Sequence, residues 1–131
     1  MNTDIKKLIG EATTYDKKQM LEAKRPKSWL KSVSAFANGE GGTLIFGISD
    51  DDHIVGLADA KGDAERISEE IKSKLDPIPA VNLELKDADG KTLLLLHVYP
   101  GQETPYYYIG DKQRIAFVRI GNESVTADRT Q

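Results

Sequence analysis

Six basic side chains fall within one stretch of 15 residues: Lys17, Lys18, Lys24, Arg25, Lys27 and Lys31. Each Lys or Arg that neutralises a phosphate releases condensed counterions, giving salt-sensitive and sequence-tolerant affinity for nucleic acid. The plain alternative is a solvated charged face. Ser28 lies near a helix start, where main-chain N–H groups favour an anion. A second group is the turn Gly39-Glu40-Gly41-Gly42. Its Gly39, Gly41 and Gly42 amides could cradle a phosphate, or the glycines could serve only as a helix stop and tight turn. No Gly-Lys-Ser/Thr follows and no helix begins after it, so it is not a P-loop. Tyr106-Tyr107-Tyr108 reads either as a stacking platform for unpaired bases or as alternate tyrosines packed along a strand. His53 and His97 are isolated, and no Ser/His/Asp or Cys/His arrangement can be assembled.

The elements that must position these groups follow from periodicity. Ser28–Asn38 reads as a helix, with Trp29, Val33 and Phe36 on one apolar stripe. Lys27 and Lys31 lie off that stripe. Pro26 suits a first helical turn, and Asn38-Gly39 a helix stop with glycine left-handed. Thr43–Ser49 reads as a buried strand and Asp50–His53 as a polar turn. Asp63–Leu75 reads as a second helix capped by Asp63 or Gly62 and ended by Pro77 and Pro79. Val81–Leu85 alternates as a half-buried strand. Asp89-Gly90 is a hairpin turn that accepts positive φ, and Lys91–Tyr99 is the returning strand. Pro105–Ile109 reads as an edge strand, where proline is tolerated, and Ile115–Ile120 as a last strand. Helix, strand, helix and then a run of strands predicts an α+β fold, a mixed sheet with two main helices packed on it.

The chain has 131 residues, one domain's worth, with 39% apolar and 30% charged residues, as expected of a globular protein. It has no cysteine, which excludes disulfides and thiolate metal sites and fits a cytoplasmic location. Met1–Gly10 is polar and reads as no signal peptide. The apolar run Leu93–Leu96 is far too short to cross a bilayer, so no membrane partner is expected. Net charge is −3 but uneven: residues 1–31 carry eight bases and four acids, and the remainder ten bases and 17 acids. A basic end on an acidic body could steer an anionic partner to one face. The polar stretch Asn122–Gln131 carries no docking signal and suggests the N-terminal domain of a longer protein.

The segment Ser34–Ile48, SAFANGEGGTLIFGI, followed by Asp50-Asp51-Asp52-His53-Ile54-Val55-Gly56-Leu57, resembles the Schlafen AlbA-like family. That family is also described as a divergent AAA-type DNA-binding domain of bacterial transcriptional regulators. Asp76-Pro77-Ile78-Pro79, Asp89-Gly90-Lys91, Thr104-Pro105-Tyr106-Tyr107 and Phe117-Val118-Arg119-Ile120-Gly121-Asn122 extend the likeness from about Glu11 to Ser124. Arg119 falls on the family's "VRxG" element, which makes it a further candidate for nucleic-acid contact. Animal relatives that cut RNA use an acidic triad, which carries over by position to Glu11, Asp16 and Asp50, with Asp51 as an alternative third member. Clustered carboxylates can hold Mg2+ or Mn2+ against a phosphodiester. Here Asp16 stands in place of the usual Glu, which draws the carboxylate back. The zinc site of those relatives needs ligands that this cysteine-free chain lacks, and no resident cofactor or metal is expected.

The resemblance implies a DNA-binding domain of a bacterial-type transcriptional regulator, docking through a basic N-terminal face, with DNA favoured over RNA. Two other classes stay open: a metal-dependent endoribonuclease, and a protein-interaction or homodimerisation module.

Overall fold

The computed structural model describes residues 14–127. The apolar stripe around Trp29 forms helix α1, Lys27–Ala37, and the Ile67/Ile71 repeat forms helix α2, Ala60–Lys74. Strands β1 (Tyr15–Lys18), β2 (Gly42–Phe46), β4 (Val81–Ala88) and β5 (Lys91–Val98) make one sheet in the order β1-β2-β5-β4. Strands β3 (Leu75–Asp76), β6 (Tyr107–Tyr108), β7 (Ile115–Ile120) and β8 (Glu123–Thr126) make another in the order β3-β6-β7-β8. In the first sheet β1 runs parallel to β2, and the remaining pairs are antiparallel. The fold is therefore α+β with mixed pairing, and its strands are divided between two sheets.

Helix α1 touches strands of both sheets. That explains its burial: Trp29, Leu30 and every residue from Ser32 to Ala37 are buried. A helix apolar on most sides belongs in an interior. Only Lys27, Ser28 and Lys31 keep partial exposure along it. Sheet and helix interlock through polar groups at its C-terminal end. Asn38 Nδ2 donates to the Tyr106 carbonyl at 3.0 Å and to the Phe117 carbonyl at 2.8 Å, and its Oδ1 accepts from the Tyr106 N–H at 2.6 Å. One turn earlier, Ser34 Oγ donates to the Tyr106 carbonyl and accepts from the Phe117 N–H. Two side chains four residues apart share a helix face, and here they satisfy main-chain groups just before β6 and within β7.

The four-leucine run of β5 is buried on both faces of its sheet, which is why it reads as continuous rather than alternating. Leu94 and Leu96 join Leu44, Phe46 and the helices, while Leu93 and Leu95 join Ile45, Ile48 and Ile54. The helix stops at Asn38, as its sequence suggests, but the left-handed residue is not Gly39. Gly41, at φ +84°, holds the left-handed position, and a Cβ there would stand 2.7 Å from the Val98 carbonyl oxygen. The cap of α2 is Asp59, whose Oδ1 accepts from the Gly62 N–H, rather than Asp63 or Gly62. Strand β6 lies between β3 and β7, so it is not an edge strand, and Pro105 precedes it. Gly121, at φ +63°, turns β7 into β8, a strand that the polar sequence after Asn122 did not announce.

Candidate nucleic-acid interface

The start of α1 forms one wall of a concavity of about 770 Å3. Lys24 and Arg25 reach it from the preceding loop, Lys27 and Lys31 from the first turns of α1, and Lys74 from the last turn of α2. Ser124, Val125 and Thr126 of β8 also line it. Two acids also line it. Glu70 is bound to Lys74 at 2.9 Å, and Asp111 accepts from the Tyr108 hydroxyl at 2.9 Å. Lys24, Arg25 and Lys31 form no ion pair with a described residue. Lys27 Nζ donates to Gln113 Oε1 at 3.0 Å and lies 5.6 Å from the Tyr108 ring centre.

Lys74 is the member that sequence reasoning missed. It belongs to the acidic body, and only the packing of α2 brings it to the N-terminal cluster. Its signal was slight: a basic residue in the last turn of a helix suits the macrodipole and needs no other role.

Lys17 and Lys18 are separated by the pleat. In β1, Lys18 lies beside Phe46 and Lys17 beside Ile45, so their side chains point to opposite faces. Lys17 Nζ binds Asp52 Oδ1 at 2.9 Å and the Asp50 carbonyl, and its pKa is raised, chiefly by the Asp52 hydrogen bond. Lys18 Nζ lies 3.4 Å from the Ser28 carbonyl, on the α1 side. The helix start itself is occupied. The Ser28 N–H donates to the Arg25 carbonyl, and the Trp29 and Leu30 N–H groups donate to the Pro26 carbonyl. In the glycine turn, the Gly39 and Gly41 N–H groups both donate to the Phe36 carbonyl. A Cβ at Gly42 would stand 2.8 Å from the Phe36 ring. These glycines are used by the chain's own geometry.

Arg119 and Asp16 meet each other. Arg119 Nη2 contacts Asp16 Oδ1 at 2.5 Å, and Nη1 contacts Oδ2 at 3.0 Å, with the two side chains 12% and 17% exposed. Ser32 Oγ adds a bond to Asp16 Oδ2 at 2.7 Å, and Arg119 Nη1 also reaches Ser124 Oγ at 2.9 Å. Asp16 and Asp50 line one smaller concavity of about 390 Å3 with Glu123. Among the described residues no three of His, Asp or Glu stand close enough to share a metal ion. Glu11 lies outside the described residues. Asp51 binds the Ser49 hydroxyl and His53, which lower its carboxyl pKa in that order.

Tyr106 and Tyr108 are buried and Tyr107 is half-buried under Arg114, whose guanidinium carbon is 4.2 Å from the ring centre. The three therefore pack as alternating strand residues, not as a stacking platform.

The profile of the family described as Schlafen, AlbA_2 matches residues 11–128. The chain belongs to the Schlafen AlbA_2 family. Its fold is shared with the N-terminal domain of an ATP-dependent DNA helicase RecG-related protein from Nitrosomonas europaea. That match has a TM-score of 0.67 at 22% identity and covers 98% of this chain and 91% of that one. A protein from Corynebacterium diphtheriae matches with a TM-score of 0.65 at 20% identity. There 90% of this chain is covered, and it spans only 22% of the other. No curated protein matches. In this AlbA_2 domain no described helix is long and apolar enough to cross a membrane.

Proposed function

We propose that this AlbA_2 domain binds the sugar–phosphate backbone of DNA in the cleft at the start of α1, as the docking part of a transcriptional regulator or another DNA-acting protein. One observation carries the reading. Lys24, Arg25, Lys27, Lys31 and Lys74 converge on a single concavity in a chain of net charge −3. The family and the RecG-related neighbour are consistent with it. Phosphate contacts position a protein without reading sequence. A helix that lies in a major groove needs an exposed face of several residues. Helix α1 exposes little beyond Lys27, Ser28 and Lys31, so affinity here is largely independent of base sequence.

The experiment is a titration of labelled duplex DNA, and in parallel an RNA hairpin, at several salt concentrations. Binding that weakens steeply with salt and favours the duplex supports the reading. No binding to either at low salt contradicts it. The endoribonuclease alternative through Glu11, Asp16 and Asp50 has weaker support, because Asp16 already carries a guanidinium and a serine hydroxyl.

A further inference from the structure

Asp16 stands on β1 two residues from Lys18, and its carboxylate faces the same side of the sheet as that lysine. It lines the smaller concavity together with Lys18, Lys31, Arg119 and Ser124. Lys31 and Ser124 also line the main cleft, so the two depressions adjoin. In the smaller one Lys17, Lys18, Lys31 and Arg119 stand with Asp16, Asp50 and Glu123, and Lys17 is already paired with Asp52. A carboxylate placed on a phosphate track repels the ligand, and Arg119 cancels that of Asp16, on the same sheet face as Lys18. The same guanidinium holds Ser124 of β8, which lines the cleft. Its Nε has no partner among the described residues, and its plane lies over the Phe36 ring at 5.0 Å. Its polar contacts among the described residues therefore go to Asp16 and Ser124.

We propose that Arg119 is a positioning residue of the cleft: it masks Asp16 and pins β8, so that the nucleic-acid backbone can continue from the cleft past Lys31 to Lys18. This rests on the cleft being a phosphate site. It differs from that reading in making Arg119 act through Asp16, with no phosphate contact of its own.

Double-mutant analysis on duplex DNA separates the two roles, because a pair that acts as a unit is non-additive. Arg119→Met should weaken binding about tenfold and lower the salt slope by about 0.9, because the unmasked Asp16 repels the phosphate from Lys18. Adding Asp16→Asn should restore binding to within about threefold, because no unmasked carboxylate remains. Lys31→Met should also lower the slope by about 0.9 but gain nothing from Asp16→Asn.

Two single variants keep the test open if Arg119→Met does not fold. Arg119→Lys retains the charge and should bind within about threefold of the parent, even with a lowered melting temperature. Asp16→Asn alone should bind as tightly as the parent chain or more so. A loss of slope on Arg119→Met that Asp16→Asn does not repair would overturn the proposal, as would weakened binding by Asp16→Asn. Failure of the parent chain to bind any duplex would instead remove the cleft reading beneath it.

Discussion

Asp16 and Arg119 form a two-pronged ion pair across 103 residues of sequence, joining the first described strand to β7. Ser32 of α1 and Ser124 of β8 bond to the same pair. Four elements are thus tied at one point beside the cleft. Removing one partner of a largely buried pair leaves an uncompensated charge, so Arg119→Ala should cost about 3 kcal/mol of stability. Urea unfolding of the purified domain measures it. A loss below about 1 kcal/mol would place the pair among solvent-exposed bridges.

Lys17 should be dispensable for nucleic-acid binding. Its ammonium faces away from Lys18 and is held by Asp52 and the Asp50 carbonyl. Lys17→Met should leave the salt slope for duplex DNA unchanged, whereas Lys27→Met should reduce it by about 0.9. Equal slopes for these two variants would place the lysines on a common face and contradict the strand geometry.

Asn38 should be more than a helix stop. Asn38→Ala strips partners from the Tyr106 N–H and from the Tyr106 and Phe117 carbonyls, with Ser34 covering only part of the deficit. Each unsatisfied buried polar group costs about 1–3 kcal/mol. The expected loss in denaturant unfolding is about 2–4 kcal/mol on that scale. Asn38→Asp should be worse than Asn38→Ala at neutral pH, because a carboxylate would face two carbonyl oxygens where an amide N–H2 now donates.

Tyr108 sets an alkaline limit. Burial, and then the hydroxyl's hydrogen bond to Asp111, push its pKa from 10.0 up to about 12. The folded state therefore holds this proton more tightly than the unfolded chain does. Its stabilising contribution is full below pH 10.0 and disappears as the pH rises to about 12. Unfolding curves between those values should show stability falling more steeply in the parent chain than in Tyr108→Phe. Parallel curves would show that the phenol is not shielded.

The two helices, β2 and the Asp89-Gly90 hairpin were legible because each follows from period, turn chemistry or both. What escaped had non-local causes. Strand β8 is short and polar, and only its pairing with β7 makes it a strand. The division into two sheets depends on α1 being buried on most sides, which its sequence showed only as one stripe. At the site, the basic cluster around Lys24–Lys31 could be read directly. The arrival of Lys74, the separation of Lys17 from Lys18 and the pairing of Arg119 with Asp16 depend on tertiary packing and strand register. No spacing in the chain encodes them. The family resemblance placed Arg119 and Asp16 in two different roles, whereas the fold brings them into contact with each other.

Salt dependence of duplex DNA binding tests the cleft most directly. The parent chain should show a log–log slope of about −2.7 to −4.5, as expected when three to five of the cleft cations each neutralise a phosphate. A variant with Lys24, Arg25, Lys27 and Lys31 replaced by Met should lose nearly all of that slope and most of its affinity, while keeping the parent's circular dichroism spectrum. A folded variant that binds with the parent's slope and affinity would contradict the cleft as the nucleic-acid site.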